Sequence, residues 1–117
     1  MLTKHFSIKE FECKCCNKQV MNQDFMITLE LLREELEIPM IVTSGYRCER
    51  HNKAVGGSSR SQHLIGRAAD ISTVGMTSDI LYTLISSAID WDFRGIGIGR
   101  NFIHIDNRKR GKKLWVY

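Results

Sequence analysis

Proline is nearly missing from this chain, with Pro39 the single one among 117 residues, so no Pro-rich linker divides it. No apolar run approaches the roughly 20 residues needed to cross a bilayer. The opening MLTKHFSIKEF is broken by Lys4, His5, Lys9 and Glu10, so neither a signal peptide nor a membrane anchor is expected, and synthesis is expected in the cytoplasm. Internal repeats and low-complexity segments are also lacking. What these absences leave is one compact domain, 1–117, large enough for a single modest core and too small for two. Hydrophobic content of 43% beside 26% charged residues argues for a folded chain over a disordered one.

Cysteine is scarce but clustered. Cys13, Cys15 and Cys16 lie together and Cys48 is distant, giving one C-x-x-C pair and no second pair at finger-like spacing. Three readings stay open at this level: reduced, partly buried thiols, a structural zinc on three or four of them, or a disulfide from Cys48 to the early cluster. A cytosolic origin disfavours the last. The net charge is +4, with cations gathered in RNFIHIDNRKRGKKLWVY. Such an edge suits a solvated strand border, an anionic envelope or nucleic acid, and charge alone does not choose among them.

Hydrophobic spacing predicts the elements. In NQDFMITLELLREELE, residues 22–37, Phe25, Leu29, Leu32 and Leu36 recur at steps of three and four, the period of an amphipathic helix. TSDILYTLISSAID reads as a second helix capped by Thr77 or Ser78, with Ile80, Leu81, Leu84, Ile85 and Ile89 on its apolar side. Ser7 and Glu10 suit a capping box, and CERHNKAV suits one or two helical turns before a GGSSRS loop. MIVTS and RAADIS are strand candidates, and GIGIG, NFIHID and KLWVY follow as three more in what reads as an antiparallel meander. The expected class is therefore α+β, a small antiparallel sheet with helices packed on one face.

Within SRSQHLIGRAADIS a histidine and an aspartate stand seven positions apart, a loop delivering His63 and a strand delivering Asp70. His104 and Asp106 alternate with Ile103 and Ile105, so both polar groups share one face of a strand whose other face is apolar. A catalytic zinc takes three imidazole or carboxylate ligands and leaves one position for water, a count that His63, Asp70 and His104 meet. A carboxylate beside an imidazole, as at Asp106, suits orienting the ring or handling protons. Hydrogen-bonded core histidines and a polar strand edge are the plainer alternatives.

The run SGYRCERHNKAVGGSSRSQHLIGRAADI resembles the S-x-H-x-x-G-x-A-x-D signature and S-G-Y-R segment of the zinc D-alanyl-D-alanine carboxypeptidase family. Its relatives include L-alanyl-D-glutamate endopeptidases of phage lysins and endopeptidases that cut between diaminopimelates. FIHID continues the likeness, which extends from FSIKEFECKCC to the tryptophan of KLWVY. The resemblance implies a hedgehog/DD-peptidase-like fold, Zn2+ as cofactor on His63, Asp70 and His104, and Arg47 near the scissile bond as a catalytic and substrate-binding group. Ser61 and Gln62 are then expected to line the substrate loop. Many members carry an acid three residues before the last histidine; Asn101 stands there in this chain, so Asp106 becomes the candidate catalytic base or ligand-orienting group.

The function so implied is hydrolysis of an amide bond in peptidoglycan stem or cross-link peptides, as an endopeptidase or a D,D-carboxypeptidase. A monomer is expected, with neither a membrane nor nucleic acid as partner. The size of the chain and the lack of a leader resemble a phage lysin or tail-associated part acting on the cell wall. The alternative expectation is an inactive zinc-containing module that binds wall fragments, as hedgehog-type relatives exemplify.

Overall fold

The computed structural model describes residues 2–117. An N-terminal arm carries the short helix α1 (Ile8–Phe11), followed by helix α2 (Gln23–Leu36), strand β1 (Val42–Ser44) and helix α3 (Glu49–Ala54). A 3₁₀ turn, Gln62–Ile65, leads into β2 (Ala68–Ser72), and α4 (Ser78–Asp90), β3 (Gly95–Ile98), β4 (Phe102–Asp106) and β5 (Lys113–Val116) complete the chain. Among the described residues no helix is both long and apolar enough to cross a membrane.

The five strands form one sheet in the order β1-β2-β4-β3-β5. All neighbours are antiparallel except β3 and β5, which run parallel, so the expected antiparallel meander is corrected to a mixed sheet. Both edges of β4 are already taken, by β2 and β3, so β5 cannot fold back onto its predecessor. It pairs instead with the open edge of β3, in the same direction as that strand.

Alternation divides the sheet into two faces. Ala69 and Ile71 of β2, Ile96 of β3, and Ile103 and Ile105 of β4 enter the core against Phe25, Leu29 and Leu32 of α2 and Leu84 and Ala88 of α4. Fully burying each large apolar side chain contributes about 1.5–3 kcal/mol, which ties both helices to that face. Asn22 and Thr77 cap α2 and α4 by accepting from the backbone N–H groups of Phe25 and Ile80. Two expected core residues of α4 lie elsewhere: Ile89 is exposed and Ile80 is half-buried outside the core, because the stripe actually followed is Leu81, Leu84, Ile85 and Ala88, and the two flank it on either side. The arm joins the same core through Phe6 and Phe11, whose rings meet edge-on at 5.7 Å. His5 fastens it to α2, giving both its backbone N–H and a ring nitrogen to Glu30.

The 3₁₀ turn ends in the left-handed region at Gly66, φ 70°, where a side chain would also run into the backbone carbonyl of Val20. Gly66→Ala therefore meets both a conformational cost of about 1–2 kcal/mol and a clash. Gly56 has φ 74° with nothing within 4 Å of an added Cβ, so Gly56→Ala meets the first cost alone. Urea titration of both variants should show Gly66→Ala losing clearly more stability; equal losses would mean that the approach of Val20 carries no weight.

Candidate metal centre and cleft

The other face of the sheet carries the polar residues in one row. Pairing sets Ser44 opposite Asp70, Asp70 opposite His104, His104 opposite Gly97 and Gly97 opposite Trp115. Glycine at position 97 is required by proximity, since a Cβ there would lie 2.5 Å from the Trp115 indole. Trp115 thereby reaches across β3 to within 5.1 Å of the His104 ring. His63 arrives from outside the sheet on the 3₁₀ turn, which Ser61 caps by accepting from the His63 backbone N–H at 3.2 Å.

His63, Asp70 and His104 are all buried and converge on one point, each offering a ligand atom within 4.8 Å of the others. Asp70 Oδ1 stands 3.1 Å from His63 Nε2 and 3.0 Å from His104 Nδ1, and the two ring nitrogens are 3.2 Å apart. The partners on the far sides of the rings fix the tautomers. His63 Nδ1 lies 2.7 Å from the Gly45 carbonyl, which only accepts, so that nitrogen donates and Nε2 keeps its lone pair. His104 Nε2 lies 2.7 Å from Asp106 Oδ2, so it donates there and Nδ1 keeps its lone pair. With both rings neutral, two imidazole lone pairs and a carboxylate oxygen thus meet with no proton between them, an arrangement that a divalent cation satisfies. The three residues expected as metal ligands are brought together, and the donor set fits zinc.

Arg47 and Asp106 stand one step out. Arg47 Nη2 donates to Asp70 Oδ2 at 3.1 Å, Nη1 to Asn52 Oδ1 at 3.3 Å and Nε to Ser44 Oγ at 3.0 Å, so the guanidinium holds the outer oxygen of the shared carboxylate. Asp106 is fully buried. Its Oδ1 accepts from the Arg108 backbone N–H and Nε, and its Oδ2 from Arg108 Nη2 at 2.6 Å and from His104. Four donors occupy the four acceptor positions of that carboxylate. Asn101 is exposed on the turn before β4, where its carbonyl accepts from Thr73 N–H, and it lies outside the cleft.

A cleft of about 620 Å³ opens over the three donors, within the usual range for ligand sites. Arg47, Ser61 and Gln62 line it as expected, and so do Phe102, Trp115 and Tyr117, which form an aromatic wall with Phe102 and Tyr117 at 5.0 Å and Trp115 and Tyr117 at 5.9 Å. The sequence reading assigned no role to this wall, to the Gly45 carbonyl or to Arg108. Trp115 and Tyr117, two positions apart in KLWVY, were the available signal for the wall; a backbone carbonyl leaves none.

Burial alone would raise the carboxyls of Asp70 and Asp106, but each is held well below the usual carboxylate range, Asp70 by His104 and His63 and Asp106 by Arg108 and His104. Burial works to lower the His104 imidazole, yet Asp106 and Asp70 together raise it. A depressed carboxyl stabilises the fold above its unfolded value, about 3.9, and that contribution disappears as pH falls toward the folded value. Metal-free protein should therefore lose melting temperature below about pH 4. In Asp106→Asn that acid limb should flatten while zinc affinity, read by chelator competition, falls about 10- to 100-fold. An unchanged affinity would remove Asp106 as an orienting group.

Residues 4–106 match the sequence profile of the Peptidase M15 family. No curated protein shows significant similarity to the chain. The matched span takes in Arg47, His63, Asp70, His104 and Asp106, and the chain belongs to the M15 peptidase family of zinc metallopeptidases.

Proposed function

We propose that this protein hydrolyses an amide bond in the stem or cross-link peptides of peptidoglycan, as an endopeptidase or a D,D-carboxypeptidase. The observation that carries this reading is the charge of the cleft. Arg47, Arg60, Arg108 and Lys113 line it, and Asp70 is the single acidic side chain among the described residues that do. Wall peptides present carboxylates at D-alanine, D-glutamate and diaminopimelate, so such a cleft favours them over neutral peptides.

His63, Asp70 and His104 would hold a zinc ion, which when bound would supply Lewis acidity for water and for a carbonyl oxygen. The chain's own groups supply position. Gly45 and Asp106 keep both imidazoles in the tautomers that present lone pairs inward. Arg47 has three of its five N–H donors engaged, and the remaining two are available to a substrate carboxylate or a developing oxyanion. Asp106, with its acceptor positions filled, acts as an orienting group and not as the base. Trp115 and Tyr117 wall the reacting centre and limit its access to bulk water. Because the substrate lies outside the cytoplasm, the reading includes delivery to the wall, by phage-mediated release or as a virion part.

A second reading, a zinc-containing module that binds wall peptides without turnover, is favoured by one observation. Among the described residues lining the cleft there is no acidic side chain besides Asp70, and Asn101 replaces the acid found in many relatives.

Mass spectrometry of muropeptides before and after incubation with zinc-loaded protein should show new termini at one stem or cross-link bond. His63→Ala should abolish both that conversion and stoichiometric zinc at the site. Arg47→Lys, which cannot span Ser44, Asn52 and Asp70 at once, should lower kcat/KM about 100-fold. Retention of wall fragments by the zinc-loaded protein with no new termini would establish the binding module instead.

A further inference from the structure

Away from the cleft the structure gathers a second set of soft donors. Cys13 follows α1 in the arm and Cys48 caps α3, yet their sulfurs are 3.5 Å apart, and Cys13, Cys16 and Cys48 offer sulfurs all within 4.8 Å of one another. Cys15 is an exposed free thiol beside Cys16 in the chain and stands outside this close set of three. None is bonded to another; all four are free thiols, and 3.5 Å is far beyond the roughly 2.05 Å of a disulfide.

The backbone around them is arranged as it is around thiolates. Cys48 N–H donates to Cys13 Sγ and His51 N–H donates to Cys48 Sγ, both at 3.4 Å. The knuckle is closed by Cys13 N–H on the Lys18 carbonyl at 2.7 Å and Asn17 N–H on the Cys13 carbonyl at 2.8 Å, with Asn17 in the left-handed region at φ 59°. Hydrogen bonds to sulfur orient thiolate ligands and spread their charge. Cys15 and Cys16 are exposed, so the set faces solvent and an ion can enter.

We propose that Cys13, Cys16 and Cys48 form a structural zinc site distinct from the one in the cleft, which the exposed Cys15 thiol, next to Cys16, completes by turning in as the fourth donor. With that fourth sulfur the set would be tetrahedral and closed, the form in which zinc stabilises folds and does no chemistry. Its position gives it a purpose in this fold. It clips the arm to the residue adjoining Arg47, alongside the Tyr46 N–H bond to the Phe11 carbonyl at 3.0 Å. The inference stands on these sulfurs and is independent of the substrate assigned to the cleft.

Full-length protein, purified under reducing conditions without chelator, should hold two zinc ions per chain by elemental analysis. His63→Ala should keep one, and the double variant Cys16→Ser/Cys48→Ser should keep only the other. Because the double variant can fail to fold, the decisive measurement uses His63→Ala loaded with Co2+, which should show the intense near-ultraviolet sulfur-to-cobalt band that imidazole and carboxylate ligands do not give. That band, together with thiols protected from a thiol reagent until zinc is stripped, would support the site. A folded His63→Ala protein lacking the band, thiols equally reactive with and without zinc, or a Cys13–Cys48 disulfide in the purified protein would overturn it.

Discussion

At Asp70 one carboxylate is shared by two imidazoles on one oxygen and a guanidinium on the other, and the geometry of the cleft follows from holding that group in place. A buried carboxylate left without partners costs several kcal/mol, so Arg47, His63 and His104 are bound to their positions by the same charge that they stabilise. Each partner is then fixed from behind: Arg47 by Ser44 and Asn52, His63 by the Gly45 carbonyl, His104 by Asp106 and, through it, Arg108. The network is preorganised before any ion or substrate arrives, which is what a catalytic metal centre needs for its ligands to move little during a reaction.

The sheet makes this possible by keeping two incompatible jobs on opposite sides. Ile71, Ile96, Ile103 and Ile105 are consumed by the helical core, while Asp70, His104 and Asp106 stand on the alternate positions of the same strands. The outer wall comes from β5, whose parallel pairing with β3 brings Trp115 level with His104. Arg108 and Lys113 approach the Trp115 ring at 5.4 and 5.2 Å, so the basic segment after β4 serves the cleft by stacking as well as by charge.

Much of this was legible where the signal is periodic. FIHID announced its two faces by alternation, α2 and α4 by their three- and four-residue steps, and the ligand trio by residue types that suit zinc. Legibility ended where the information is three-dimensional. The direction of β5 depends on which sheet edges are free, a property of the assembled sheet that no local pattern encodes. The meeting of Cys13 and Cys48, 35 positions apart, depends on the arm folding back beside α3. Asp106 was read as a base or an orienting group, and the four donors crowded around it, three of them from Arg108, were not legible in the alternation of FIHID.

The register between β2 and β4 has a consequence for how this chain can change over generations. Asp70 faces His104 because Ala69 pairs with Ile105 and Ile71 with Ile103. Adding or deleting a single amino acid inside either strand would invert the two sides from that point on, sending histidine toward the oil and isoleucine toward the ion. Between β2 and β3, in the stretch 73–94 that holds α4, length is free to drift because Asp70 and His104 are anchored by the ladder and not by that connection. Divergent family members should accordingly differ in length there while keeping the strands themselves at constant size.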